Sequence, residues 1–518
     1  MAATSRCQAE TEPLLSTEGS LQASASVTCP AQQPRPEELR HAPTPRRELS
    51  LQLMLAAPVA FTVLCRVGMM LTDLAVLGHL SGSALAAASA ALIWMNVVLS
   101  PIFRGFAPAL NVLSAQALGA DNPALAGQWA LIAVLACSGY GVCVGAAWWW
   151  GEAVLLGIGA DPAIAAEAGV FMRYSLLWTV PTMGYELLQS FFRAHEDVLP
   201  AMVINAAGLV FNLAANVVLV HGAGSWAGMG FVGSPLATAA SRWVVFVGYA
   251  VYMWATRRAY LKSATPGFSW AWMSRARLVT YTLEQALPLS LSGLIEELQF
   301  QVLAVMALDL GAVEIATNNA MFVLFFFLDS AMLGLFTACS IRVGRLLGCG
   351  LPQAARRAGV VTFGLSMVVG GAVSLALYLL RAQLGKIVSS DPAIWSEAES
   401  IARLLAISYI LIGVFYTCMA ILDGQARPLP VALAFFVGAW LVCIPLAYVF
   451  VFRDHRGLRG IWLSMVIGYS VVTTIAAGFV VTSDWSALAD VARIRSECKV
   501  KPEPEPELVA AARGSSLA

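Results

Sequence analysis

The octet DPAIAAEA, Asp161 to Ala168, returns as DPAIWSEA, Asp391 to Ala398, with six of eight positions identical at an offset of 230 residues. That offset is not isolated. Pro58 in AAPVAF falls on Pro288 in ALPLSL, and Leu199-Pro200 falls on Leu429-Pro430, both at the same distance. LGAD at Leu118 meets LGCG at Leu347 one residue short of it. Chance matches among abundant Ala and Leu do not pair prolines and aspartates in this way, so the chain reads as two copies of one unit.

Each unit is built for a membrane. Hydrophobic residues make up 59% of the 518-residue chain, charged residues only 12%, and mean hydropathy is +0.74. Soluble domains carry roughly a quarter charged residues. Apolar stretches longer than the ~18 residues that cross a bilayer recur along almost the whole length. They are predicted at 51–78, 84–116, 125–150, 164–193, 198–220 and 229–256, then at 280–308, 312–341, 358–380, 395–422, 430–452 and 460–482. Each copy therefore holds six spans. Six is even, so both copies enter the membrane from the same side and are related by a pseudo-twofold axis along the membrane normal. The expected fold is an all-α polytopic membrane protein, with twelve transmembrane helices in two six-helix bundles around a central cavity.

The domain organisation follows. Residues 1–48 and 483–518, rich in Ser, Thr, Pro and charge, the second carrying the run PEPEPE, read as disordered tails. Residues 49–256 form the N-lobe, 257–279 a linker and 280–482 the C-lobe. The first apolar run follows a long polar tail, so no cleaved signal peptide is expected. Glu10, Leu14 and Leu15 have the spacing of an acidic dileucine sorting signal. With the N-terminus cytoplasmic, inside segments collect eighteen lysines and arginines against five outside. Both termini, the tails and the linker are thus predicted cytoplasmic. The expected setting is the plasma membrane or a vacuolar or endosomal membrane.

Several chemistries are excluded. The ten cysteines form no CxxC pair, and Cys65, Cys137, Cys143, Cys418 and Cys443 lie inside apolar spans as small packing residues. The five histidines are scattered, so no metal or cofactor is expected. There is no GxxxxGK[ST] loop for ATP-driven pumping and no cluster of nucleophile and base for an enzyme. A formal net charge of zero argues against nucleic acid. Any transport is driven by an ion gradient or is passive.

TDLAVLGHLSGSALAAAS at 72–89, LNVLSAQALGADN at 110–122 and QSFFRAHEDVLPAMVINAAGLVFNLAANVVL at 189–219 stand in a fixed order with GMGFVGSPLATAAS at 228–241 and SIRVGRLLGCG at 340–350. In these segments and in its repeat the chain resembles the multidrug and toxic compound extrusion (MATE) transporters over most of residues 50–480. The resemblance implies a secondary-active antiporter that exports organic, often cationic, compounds in exchange for H+ or Na+, with the bilayer and a small organic substrate as partners. A monomer is expected. The alternative is a lipid-linked substrate flippase of the wider superfamily.

A charged side chain at mid-helix costs about 2.5–3.5 kcal/mol, so each needs a partner or a wet cavity. The candidates are Arg66, Asp73, Arg104, Glu186, Glu296, Glu297 and Asp329. Adjacent residues point ~100° apart on a helix, so Glu296 and Glu297 cannot both face one cavity. The resemblance places Glu296 at the acidic position of the seventh helix and Asp73 at the first-helix aspartate, both linked to cation coupling. Glu297 is expected at a helix contact. Asn212 and Asn216 sit four apart on the fifth helix and Asn205 two turns earlier, all on one face. They serve either a polar site or helix-to-helix packing. Arg66, seven residues before Asp73, is the repeat counterpart of Glu296. It either competes for the carboxylates or forms a fixed salt bridge. Gln116 reads as a structural cap, and Trp148 to Trp150 with Trp226 as interfacial anchors. Two departures from the family stand out: no acid in ILIGVFYTCM, 410–419, and Gln301 where animal members have a second glutamate.

Overall fold

The repeated octet is a helix start. Asp161 Oδ1 accepts hydrogen bonds from the amides of Ala163 and Ile164 at 2.9 and 3.3 Å, and Pro162 takes the first helical position. The cap satisfies amides that have no partner within the helix, and Pro has no N–H to lose there. Pro392 opens the corresponding helix of the second copy, while Asp391 lies outside the described residues. The computed structural model describes residues 43–497 apart from 257–261, 263, 268–269, 271–272 and 389–391. The dileucine-like Glu10, Leu14 and Leu15 and most of both predicted tails lie outside them.

Among the described residues, twelve helical rods have membrane length. In the first half they are α1 (Pro45–Leu80), α2 (Gly82–Pro101, a π-helical turn Ile102–Phe106, then Ala107–Gly119) and α3 (Pro123–Trp149). There follow α4 (Pro162–Ser175, a 3₁₀ turn Leu176–Trp178, then Thr179–Ala194), α5 (Leu199–Asn216 with a π turn Val217–His221) and α6 (Gly233–Thr256). The second half holds α7 (Arg275–Val279, π-helical Thr280–Ala286, then Leu287–Leu308), α8 (Ala312–Gly348), α9 (Pro352–Val388) and α10 (Pro392–Gly424). It ends with α11 (Pro428–Phe435, continuing through Phe436–Cys443 and Ile444–Tyr448 to Val449–Arg453), α12 (Leu458–Val481) and a short α13 (Trp485–Glu497). The buried apolar residues fall into separate cores, one drawn from residues 77–289 and the others almost wholly from the second half. The chain is an integral multi-pass membrane protein with its twelve helices in two bundles.

Eleven of these rods are long and apolar enough to cross a bilayer by composition alone. The predicted span 164–193 is the exception. Its helix, α4, is divided by the 3₁₀ turn into pieces of 14 and 16 residues, but α11 is divided too and still qualifies. What sets α4 apart is composition, with Glu167, Arg173, Glu186 and Arg193 set among Pro, Thr, Gly and Tyr.

The two halves meet backbone to backbone at the face where the described chain ends lie. A Cβ on Gly119 of α2 would fall 2.0 Å from the Arg345 carbonyl oxygen of α8, and one on Gly348 of α8 would fall 2.1 Å from that of Gln116. The helices cross there with backbones in contact, as small residues allow inside a membrane.

Three boundary expectations change. Residues 45–48, predicted as tail, open α1: Thr44 caps the helix and Glu48 is buried. Residues 485–497 form α13 rather than a disordered tail, because Trp485, Leu488, Ala489 and Ala492 recur at helical spacing and pack on α8 and α9. Trp148 is not interfacial. It is fully buried, edge-on to Trp178 at 4.9 Å, while Trp149, Trp150 and Trp226 are exposed. Cys65, Cys137, Cys418 and Cys443 are buried as expected, and Cys143 is exposed.

Candidate functional site

Two of the carboxylate centres in the helical interior, one in each half, gather polar side chains from several helices. In the first, Asp73 projects from α1 toward α5 and α6. Its Oδ1 accepts from Asn216 Nδ2 at 2.7 Å and Asn212 Nδ2 at 3.3 Å, and its Oδ2 accepts from Thr238 Oγ1 at 2.7 Å. The i, i+4 spacing stacks both amides on one face of α5. Charge-assisted hydrogen bonds of this kind are the strong ones, so the three donors keep a carboxylate tolerable inside the helices. The amide oxygens of Asn212 and Asn216 are buried without a hydrogen-bond partner among the described residues. They stand beside the aspartate as further acceptors.

Asn205, expected on the same face, does not join this centre. Its Nδ2 donates to the Ala201 carbonyl of its own helix at 2.8 Å. Arg66 also turns away. Its guanidinium pairs with Glu186 of α4 at 2.9 Å and lies 5.0 Å from the Phe103 ring centroid. Of the two readings of Arg66, the structure favours the fixed salt bridge: Glu186 is nearly buried and offers full charge compensation within the first half.

The second centre is Glu296 on α7. Its Oε2 pairs with Arg104 Nη1 of α2 at 3.1 Å, and its Oε1 accepts from the Tyr469 hydroxyl at 3.2 Å. Asp329 of α8 accepts a hydrogen bond from the Tyr416 hydroxyl of α10 on Oδ2, and its buried Oδ1 has no hydrogen-bond partner among the described residues. All five side chains line one cavity of about 70 Å³, walled by Phe300, Phe325, Phe326, Phe415 and Trp462. Glu297 is not part of it. It accepts from Gln301 Nε2 at 3.1 Å on its own helix, one turn on.

A third cluster closes the face that bears the chain ends. Arg342 of α8 reaches Glu48 of α1 and, at 2.8 Å, Glu196 in the loop between α4 and α5, which Arg345 also meets at 3.2 Å. Gln116, predicted as a cap, instead donates from Nε2 to the Gly424 carbonyl of α10 at 3.2 Å and accepts from Arg495 of α13. These contacts tie the first half to the second.

Sequence reasoning missed Thr238, Tyr416 and Tyr469, and gave Arg104 no role. Thr238 lies inside GMGFVGSPLATAAS and Tyr416 inside ILIGVFYTCM, so both segments were noticed, one for its resemblance and the other for its missing acid. The tyrosine in that second segment serves the acid of the eighth helix.

The MatE family model matches residues 58–218 and 288–449, two segments that begin 230 residues apart. An uncharacterized transporter of Schizosaccharomyces pombe is 24% identical over 450 residues, covering 86% of this chain and 81% of the relative. A probable multidrug resistance protein NorM of Rhodopseudomonas palustris is 28% identical over 438 residues, covering 83% and 91%. The crystal structure of the eukaryotic MATE transporter AtDTX14 superposes with a TM-score of 0.76 at 22% identity, covering 87% of this chain and 99% of that one. The twelve rods, the twofold match and the full-length relatives lead to one conclusion: this chain belongs to the MatE family of membrane transporters.

Proposed function

We propose that the protein is a secondary-active antiporter that exports organic compounds, cations among them, in exchange for H+ or Na+. The observation that carries this reading is the second centre, where Glu296 and Asp329 share a cavity walled by aromatic rings. Aromatic faces and carboxylates together suit organic molecules with positive charge. Asp73, ringed by Asn212, Asn216 and Thr238, supplies a separate acceptor cluster for the coupling ion. Each chain holds both centres, so a monomer suffices.

The direction of transport rests on sidedness. Arg342, Arg345 and Arg495 gather at the face bearing the chain ends, which supports a cytoplasmic assignment for it. The plasma membrane or a vacuolar or endosomal membrane fits that assignment. The Arg342 cluster, which bridges the halves at that face, supports reading this arrangement as the state closed to the cytosol. A ligand or ion that prefers one arrangement of the halves shifts the population toward it. Uptake of an organic-cation panel into proteoliposomes, run with separate H+ and Na+ gradients, tests the proposal. Gradient-dependent uptake of at least one compound is expected. Movement of lipid-linked substrates without organic-cation exchange replaces the reading with a flippase.

A further inference from the structure

Arg104 holds a position that antiport alone does not explain. It belongs to α2, in the first half, yet its guanidinium lies on Glu296 of the second half in the wall of the aromatic cavity. The backbone is shaped to put it there. Residues Ile102–Phe106 form a π-helical turn directly after Pro101, and such turns shift the register of the side chains they carry. Glycines flank the contact on both helices. A Cβ on Gly105 would fall 1.9 Å from Ser290 Oγ, and one on Gly293 would fall 2.4 Å from Arg104 Cβ. So α2 and α7 touch closely at this depth, and the Arg104 stem crosses Gly293 to reach the carboxylate.

The consequence is electrostatic. Both oxygens of Glu296 are occupied, one by Arg104 and one by Tyr469, whereas Asp329 keeps an oxygen without a partner among the described residues. The cavity, at about 70 Å³, is small beside the ~300 Å³ or more of a pocket that encloses a drug-sized molecule. Yet the Arg104 side chain is 45% exposed, so it sits at the edge of the site and has room to withdraw. Because the pair joins the two halves, any motion that parts them at this level bares Glu296.

We propose that Arg104 is a specificity-determining counter-cation for the organic-substrate cavity: it fills the place on Glu296 that a positively charged substrate would take, so fixed cations bind there only by displacing it. This rests on the antiport reading above. A substrate without positive charge meets no such competitor. Arg104 therefore lowers the preference for cations that Glu296, Asp329 and the aromatic walls would otherwise give.

The test compares two ligands of one shape, N-methyl-4-phenylpyridinium and 4-phenylpyridine at mildly alkaline pH, where the second is uncharged. Binding of each to purified full-length protein gives a ratio of Kd values. Arg104→Gln is expected to shift that ratio about tenfold toward the cation, a partly screened charge effect. Arg104→Lys is expected to keep the wild-type ratio, and Arg104→Gln combined with Glu296→Gln to lose the gain. An unchanged ratio in Arg104→Gln, or parallel weakening of both ligands, overturns the proposal and leaves antiport standing. Should Arg104→Gln fail to accumulate, Glu296→Gln decides: its ratio must move away from the cation, and an unmoved ratio overturns the assignment. Wild-type protein that binds neither ligand and transports nothing in the uptake panel brings down the antiport reading and this inference together.

Discussion

Arg342 grips Glu48 across 294 residues of chain, with Nε 3.0 Å from Oε1 and Nη2 2.8 Å from Oε2. The geometry is a two-pronged fork, the arrangement in which arginine and a carboxylate match best. Both side chains are nearly dry, at 8% and 2% exposure. Such a pair is a weak source of net stability while intact but costs about 3–5 kcal/mol when one partner is removed, because the other stays buried and charged. Placed between α1 and α8, it acts as a latch on one face.

Arg342→Gln should therefore open that face, whereas Glu48→Gln with Arg342→Gln should do so less, since the double variant strands no charge. Cys349, fully buried in the same region, provides the readout. A charged maleimide should modify it faster in the single variant, with the modified residue identified by mass spectrometry. Equal labelling in all three proteins would show that the latch does not hold the halves together.

Acidity should act on this latch only well below neutral pH. Burial opposes the charge on Glu196, but Arg345 and Arg342 more than offset it and hold the carboxyl below its usual value of 4.5. A lowered carboxylate stabilises the latched state above the free-glutamate value, and that support disappears as pH falls through the lower, latched value. Divided by the labelling rate of the denatured protein at the same pH, which removes the change in thiolate fraction, Cys349 labelling should thus stay flat between about pH 5 and 8. A rise within that range would show that Glu196 titrates there and belongs to the coupling machinery.

Asp73→Asn replaces an acceptor-only group with one that carries its own N–H donors, facing two amides and a hydroxyl already committed to donating. Exchange driven by an ion gradient should fall at least about tenfold, the size of one lost charge-assisted interaction. Membrane abundance should hold, because an amide flip restores part of the network. Thr238→Val, which removes one donor and keeps the shape, should lose less. Normal exchange in Asp73→Asn would leave Glu296 as the coupling carboxylate.

The adjacent glutamates should separate cleanly. Glu296→Gln breaks contacts to Arg104 and Tyr469 inside the cavity and should abolish gradient-driven exchange in folded protein. Glu297→Gln only exchanges a carboxylate for an amide beside Gln301 and should leave turnover within about twofold, as expected for a half-buried pair within one helix. Transport normalised to membrane abundance decides between them. Equal losses would mean that Glu297 also reaches the transport path.

What could be read from the one-dimensional pattern was whatever repeats or recurs at helical spacing. Asp73 on α1 and Asn212 with Asn216 on α5 were legible one by one, because each is a polar group in a helix interior where it must find a partner, though their contact was not. The helical turn said that only one of Glu296 and Glu297 could face the cavity, and the family resemblance chose Glu296. Arg104 was noticed as a buried charge, but its partner was not, since nothing in the spacing says that α2 crosses α7 at a π turn between two glycines. Glu48 was lost to the composition of the tail around it, and α13 to the charged run that follows it. For Arg66 both readings stood in the sequence, but not the partner: the repeat equates its position with Glu296, whereas its salt bridge is to Glu186 of α4.

The passage of α4 also governs where the described chain delivers its ends. Judged by helix length and composition alone, eleven helices among the described residues would cross, and Pro45 and Trp485 would lie on opposite sides. With α4 as the remaining helix of the twelve, the crossings are even in number and Pro45 and Trp485 fall on one side. Donor and acceptor fluorophores fused to the two termini would then share one solution, and a reagent unable to permeate the membrane would reach both or neither.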